Sequence, residues 1–513
     1  MKENTRTHRT LQNSRMSLLL FLFQIFVGFY SRKVFLDYLG TEVLGVNTTL
    51  GNILSFLNLS ELGIGIAMAT SLYKPIQEKD HETICEILSV QGILYKRIAI
   101  ILCCLSIPIL VYMPYIFPST ECDIKYIYLA YIIFLGGSIA GYLWNYRQIL
   151  LGADQKNYKL MPWIHGVRYT KITFQILFLT VIDFGIWGWI LMEFISDIAM
   201  VFVINWILRK EYPWLYTVAI PVKELLNKYH WLIIKTRQIF IHKIGLFVLE
   251  QTAPLIIYSL VSLNMVTYYA NYMVLIGYTT TLMNVIFEGM GASIGSLVAE
   301  NNKKHTLEVF WELFTSRIWI SAIACFALYN YMNPFITLWI GDQYILDETS
   351  LLLMIAIMFL RITRTVTDSF NHAYQLFGDI WSPVAEAIIN LGTSFWLGSI
   401  WGLNGILTGI LISLLATGLF WKPYYLFSRG LKYPTIAYYF QYAIHIVILI
   451  GCSLSSIYIF KGIKITDSEI GNIWISQTLV FVVFILSSFA ILFITTSSMR
   501  RFCKRIYGII HAK

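Results

Sequence analysis

Four ionisable side chains, Arg361, Arg364, Asp368 and His372, recur along one otherwise apolar stretch of the sequence. Their offsets of 3, 7 and 11 residues put them within about one quarter of a helix circumference, at roughly 100° per residue. With Phe359, Leu360 and Ile362 around them, a helix here carries one polar stripe on an apolar body. Two readings fit. Arg364 and Asp368 are four apart and can neutralise each other, which does not account for Arg361. Alternatively the stripe faces a cavity, where a guanidinium fork binds phosphate through two hydrogen bonds at once.

Other charges repeat the pattern. Arg168 and Lys171 are three apart on one face, and Lys243 and Glu250 are seven apart on another. Arg32 and Lys33 follow the first apolar run, where they either snorkel to headgroups or join a cationic site. Carboxyls lie at Glu61, Glu193, Asp197, Glu288 and Glu386. A carboxyl that exchanges a proton in low dielectric is what proton coupling requires, and a structural hydrogen bond is the competing account. Glu61, Asp368 and His372 are the candidates for coupling or for holding the cations in place. Cations exceed carboxylates on these faces, which points to an anionic, phosphorylated substrate.

No Walker A loop, HExxH, nucleophile elbow or metal-ligand spacing is present. No catalytic residue, metal or cofactor is therefore assigned, and the chain reads as a carrier rather than an enzyme. A membrane polymerase or ligase usually builds its site on a sizeable external loop. The longest external stretch, about 332–348, is short and largely apolar.

The elements that must position these groups follow from composition. Of 513 residues, 57% are hydrophobic and 13% charged, with mean hydropathy +0.65; a soluble chain has roughly 25% charged residues. Apolar runs of about 20 residues recur, each able to cross a ~30 Å hydrocarbon core as a helix. An all-α polytopic membrane protein is expected, with about fourteen spans near 16–31, 46–72, 97–116, 125–150, 160–182, 184–208, 236–261, 264–298, 309–332, 349–376, 383–400, 401–427, 434–460 and 473–496. The net charge of +9 does not indicate nucleic acid, because the basic residues sit in short connectors.

With the N-terminus inside, Lys and Arg favour cytoplasmic segments by roughly five to one, so both termini are placed in the cytoplasm. The seven cysteines form no CxxC pair, and the adjacent Cys103 and Cys104 read as small packing residues. Tyr30-Ser31-Arg32-Lys33 is not a cleavage site for a signal peptide. The largest connector, about 209–235, divides the chain into 1–230, 231–430 and a C-terminal part, 431–513, of two spans and a basic tail. Gly63-Ile64-Gly65 with Ser71-Leu72 is echoed by Gly289-Met290-Gly291 with Ser296-Leu297. That echo reads either as a repeat or as glycines placed for close helix packing.

Several stretches resemble the polysaccharide repeat-unit (O-antigen and capsule) flippases, within the superfamily that also holds multidrug exporters and lipid-linked peptidoglycan-precursor flippases. They are Tyr38-Leu39-Gly40-Thr41-Glu42-Val43-Leu44-Gly45-Val46-Asn47, Asn52-Ile53-Leu54-Ser55-Phe56, Glu61-Leu62-Gly63-Ile64-Gly65 and Ser71-Leu72-Tyr73-Lys74-Pro75. Further on come Tyr146-Arg147-Gln148, Ala153-Asp154-Gln155-Lys156-Asn157-Tyr158, His242-Lys243-Ile244-Gly245 and Tyr269-Ala270-Asn271-Tyr272. The last are Glu386-Ala387-Ile388-Ile389-Asn390-Leu391-Gly392, Gly402-Leu403-Asn404-Gly405 and Trp421-Lys422-Pro423-Tyr424. Together they run from about 32 to 427 in the family's order. A departure follows Gly245, where similar sequences tend to carry Thr-Asp-Asn and this chain reads Glu250-Gln251-Thr252-Ala253-Pro254.

The resemblance implies two six-helix lobes around a central cationic cavity, plus two C-terminal helices, in a bacterial inner membrane. It implies a cargo of undecaprenyl-pyrophosphate-linked oligosaccharide, moved to the outer leaflet by alternating access. A proton or sodium gradient drives that movement, and the polymerase machinery is a candidate partner. Arg32, Arg168, Lys243, Arg361 and Arg364 are the expected pyrophosphate contacts. A multidrug-type exporter of the same superfamily is the main alternative, although its cavity should be dominated by acidic and aromatic groups.

Overall fold

The computed structural model describes the backbone of every residue except 1, 59–63, 119, 155, 219, 288–293, 295–296, 299–301, 375, 377, 380, 462–469 and 512–513. Side chains at these positions and at 2–24, 66, 235, 238–239, 241–250, 285–287, 460–461, 470–474, 506 and 508–511 lie outside the described residues. The described chain is helical throughout and has no strand. It divides into two compact units, Met1–Thr267 and Tyr268–Lys513.

The first unit holds α1 (Lys2–Leu57), α2 (Ile64–Glu78), α3 (His81–Ile116), α4 (Ile124–Ala140), α5 (Ile149–Ala153), α6 (Asn157–Thr180), α7 (Gly185–Glu211), α8 (Val222–Lys228) and α9 (His230–Leu260). The second begins within α10 (Leu263–Phe287). It continues through α11 (Lys303–Ile340), α12 (Glu348–Ala373), α13 (Trp381–Leu414), α14 (Lys422–Tyr425), α15 (Thr435–Lys461), α16 (Ile470–Thr495) and α17 (Ser497–His511). Among the described residues, eight helical stretches are long and apolar enough to cross a bilayer. Others, such as α6 with 24 residues, have the length but are diluted by charge. The chain is an all-α, multi-pass membrane protein.

Several helices outrun their hydropathic segments. The third span, expected over 97–116, belongs to a 36-residue helix that starts at His81. Asp80 caps it by accepting from the Thr83 amide at 3.0 Å. Ile84, Ile87 and Leu88 are buried at helical spacing beyond the cap, but Glu82, Glu86 and Gln91 in the same stretch lower the local hydropathy. The ninth span, expected over 309–332, is likewise part of the 38-residue α11. The basic tail forms the amphipathic helix α17. Its Met499 is fully buried and joins the core of the second unit around Phe310, Phe314, Phe370 and Phe427. Cys103 and Cys104 are exposed on α3 rather than packed.

Two glycines break otherwise continuous helices. Gly40 in α1 has φ 79° and ψ 175°. Gly402 in α13 has φ 56° and ψ −131°, a conformation that costs residues with a Cβ far more than glycine. The break at Gly402 turns the chain straight back on itself. A Cβ on Gly405 would fall on the Leu397 carbonyl, and one on Gly409 would fall on the Ser394 backbone. The eleventh and twelfth spans are therefore the arms of one hairpin.

Asp347 fixes the start of α12. It accepts from the Ser350 amide at 3.1 Å and hydroxyl at 2.7 Å, and from the Asn404 side chain at 3.0 Å. The last bond ties α12 to the hairpin turn of α13. Partial burial pushes the Asp347 carboxyl up, but these hydrogen bonds outweigh it and hold it below the usual carboxylate range.

Candidate functional site

The apolar face of α12 sets the stripe. Leu351, Met354, Ile355, Met358, Ile362 and Val366 are buried in the second unit, which turns Arg361, Arg364, Asp368 and His372 together onto the remaining face. Arg364 is 11% exposed at its side chain. Its Nε donates to Asp368 Oδ2 at 3.1 Å, the pairing that the spacing suggested. Its Nη1 donates to both oxygens of Glu386 on α13, at 2.7 and 2.9 Å. Glu386 is wholly buried, so a charge there is tolerable only with a partner of this quality.

A hollow lined by Thr363, Gly418, Tyr438 and Tyr442 surrounds the arginine stem. A Cβ on Gly418 would stand 3.1 Å from Arg364 Cδ. Gly418 lies in a π-helical stretch, Leu415–Trp421; such bulges are frequent at functional sites.

Arg361, one turn earlier, is half-buried and lies within electrostatic reach of the buried Tyr269. Asp368 is 34% exposed and His372 is exposed in the last turn of α12. The stripe thus grades from a closed ion-pair centre at Arg364 to the half-buried Arg361 on one side and the exposed His372 on the other.

In the first unit, Lys171 donates to both oxygens of Glu193 at 2.9 and 3.0 Å, and Gln175 donates to the same carboxylate at 2.9 Å. Arg168, one turn away, is exposed, and Arg32 is half-buried on α1. Of the remaining candidates, Glu61 lies outside the described residues, as do the side chains of Lys243 and Glu250. The glycine echo falls partly there as well, at Gly63 and at 289–291.

Other charged centres are not evident from spacing. Arg317 on α11 is 5% exposed and donates through Nε to Thr365 on the α12 stripe at 3.0 Å. Its only sequence signal is an arginine between Ser316 and Ile318 near the start of a span. Glu86, buried in α3, accepts from Lys228 at 2.7 and 2.8 Å and from the Tyr229 hydroxyl. That carboxylate holds the Lys228 ammonium above its usual pKa. Glu312 on α11 is buried against Arg501 at 3.3 Å and Arg505 at 2.9 Å, both from α17.

Each unit also has an aspartate held beside a helix end. Asp154 pairs with Lys156 at 2.6 Å and accepts from Tyr212 at 2.9 Å. Asp379 pairs with Lys422 at 2.7 Å.

No family model matches the chain, and no curated protein matches it. Solved structures do. A lipid II flippase, MurJ, in an inward closed conformation superposes with a TM-score of 0.63 at 14% identity, covering 92% of this chain and 98% of that one. An inward-facing multidrug resistance MATE family transporter of the MOP superfamily gives 0.58 at 14% identity, over 80% and 95%. A MATE protein in complex with MaL6 gives 0.51 at 15% identity, over 82% and 96%. The chain has the fold that these solved structures share.

Proposed function

We propose that the chain is a transporter that flips undecaprenyl-pyrophosphate-linked oligosaccharide from the cytoplasmic to the outer leaflet of a bacterial inner membrane. Both termini lie in the cytoplasm, transport proceeds by alternating access, and a proton or sodium gradient drives it. No chemical bond is made or broken in the cargo.

One observation carries this reading: a bilayer-spanning helix, α12, presents Arg361, Arg364, Asp368 and His372 on a single face. Ionisable groups at membrane depth are costly and mark transport pathways by default. The two arginines take different parts. Arg364, clasped by Asp368 and Glu386, fixes the local field and the contact between α12 and α13. Arg361, outside that clasp, contacts the pyrophosphate. Arg32, Arg168 and Lys243 supply further positive charge, and Glu61, Asp368 and His372 respond to the coupling ion.

The test is the sidedness of lipid-linked oligosaccharide in proteoliposomes, read by an external lectin or glycosidase. Protein-dependent exposure that Arg361→Ala abolishes supports the reading. No exposure under either ion gradient overturns the cargo assignment.

A second reading has its own observation. Arg364 is outnumbered by its two carboxylates, a balance that suits a cationic cargo, as in a multidrug-type exporter. Raised drug resistance on overexpression, without any effect on lipid-linked oligosaccharide, would favour it.

A further inference from the structure

One face of α7 carries Phe194, Asp197, Val201, Asn205, Trp206 and Arg209. Offsets of 3, 7, 11, 12 and 15 keep them on one stripe of a helix. Opposite stand Gly136, Gly137 and Ala140 of α4, with Trp144 from the π-helical turn (Gly141–Asn145) that follows. Between the two walls runs a trench of about 890 Å³. The small residues hollow the α4 side: a Cβ on Gly136 would meet nothing within 4 Å. Trp144, Phe194, Phe202 and Trp206 are about half exposed or more, because the trench opens sideways off the unit.

The dimensions identify what it faces. From Asp197 to Arg209 is twelve residues, or about 18 Å of helix, while half the hydrocarbon core is about 15 Å. With Arg209 at headgroup level, the Asp197 carboxylate, resting on Gly137, lies near the bilayer centre. The trench therefore spans one leaflet, the one on the side where basic residues cluster.

Its shallow end is cationic and aromatic. Arg209 and Lys210 are exposed in the last turn of α7, and Lys210 Nζ stands 5.5 Å from the Trp206 ring centroid. Tryptophan at this level matches the interfacial belt of membrane proteins. The rest of the trench is chiefly apolar.

We infer that this trench binds an anionic phospholipid of the cytoplasmic leaflet, with its phosphate on Arg209 and Lys210 and its acyl chains along the α4–α7 walls. Two adjacent cations favour a net negative headgroup over a zwitterionic one. A trench one leaflet long fits ordinary acyl chains, whereas an undecaprenyl chain would overrun it. The site is separate from the α12 stripe, and the inference stands whether or not the flippase reading does.

Native mass spectrometry of the purified full chain tests it, with phosphatidylglycerol and phosphatidylethanolamine in competition. The wild type retains phosphatidylglycerol preferentially. Arg209→Gln and Lys210→Gln each weaken that retention about fivefold, and Gly136→Leu fills the trench and removes it. The two charge changes lie at an exposed helix end, so they carry the test should Gly136→Leu fail to fold. Equal retention of both lipids by the wild type overturns the inference, as does undiminished phosphatidylglycerol retention in the Arg209/Lys210 double variant. Displacement of phosphatidylglycerol by an equimolar polyprenyl diphosphate also overturns it, by assigning the trench to the cargo.

Discussion

Arg364 and Glu386 are joined by a single guanidinium nitrogen that donates to both carboxylate oxygens, at 2.7 and 2.9 Å, with the carboxylate wholly buried. The pair fastens α12 to α13. Removing Arg364 strands Glu386 as an uncompensated buried charge, which typically costs about 3–5 kcal/mol, whereas removing Glu386 leaves Arg364 its bond to Asp368. Glu386→Ala should therefore destabilise the protein by less, about 1.5–3 kcal/mol for the charged hydrogen bonds lost. Asp368→Asn, at a partly exposed partner, should cost about 1 kcal/mol or less. Melting temperatures of both variants in detergent check this, and equal losses would contradict the ranking.

Arg361 and Arg364 should separate function from stability. Arg361→Ala is expected to lower flipping at least tenfold while the melting temperature stays near wild type. Arg364→Ala should lose both. Arg364→Lys should not rescue, because a lysine cannot serve two carboxylates through a planar fork. Proteoliposome flipping and a thermal shift on the same preparations provide the readout.

The Glu86 centre predicts a local effect in the first unit. Tyr229→Phe removes one hydrogen bond to a buried carboxylate, worth about 1.5–3 kcal/mol. Hydrogen exchange should then accelerate in α8 and the first turns of α3, with the second unit unchanged. Uniform exchange across both units would refute a local role.

Asp347 predicts a pH effect of defined sign. Its folded carboxyl titrates below the usual value, so its contribution is complete above the unfolded value of about 3.9. The contribution is lost as pH falls through the folded value. Wild type should lose stability below about pH 4 more steeply than Asp347→Asn, which lacks the titrating cap. Parallel stability curves for the two proteins would rule this out.

The carboxylate Glu312 is neutralised only from α17 among the described salt bridges. Arg501→Gln with Arg505→Gln should lower the melting temperature more than Arg500→Gln with Lys504→Gln, although both remove two charges. Indistinguishable losses would show that α17 contributes bulk charge rather than specific pairing.

What the sequence discloses depends on how far a signal reaches along the chain. The α12 stripe was legible because helical spacing is local: Arg361, Arg364 and Asp368 report one face by arithmetic alone. Glu386 was visible as a carboxyl in a span but not as the partner of Arg364, since it arrives from the next helix. Glu86 with Lys228, and Glu312 with Arg501, are further examples, joined across long stretches of chain by packing. The extension of α3 back to His81 was hidden for a different reason. Hydropathy reports where a helix meets lipid, and buried polar residues such as Glu86 and Gln91 lower the index without ending the helix. The trench was similarly obscured, because Gly136 and Gly137 carry no signal of their own until α7 stands opposite them.

The break at Gly402 has a consequence for biogenesis. With a single residue outside helical geometry between two apolar arms, no loop is left to be translocated separately. The arms from Trp381 and from Leu403 must partition into the bilayer together, as one hairpin. Reporter tags and protease sites that serve for topology mapping elsewhere have no room at this turn. An insertion there would separate Gly405 from Leu397 and abolish the close seam that lets the pair enter as a unit.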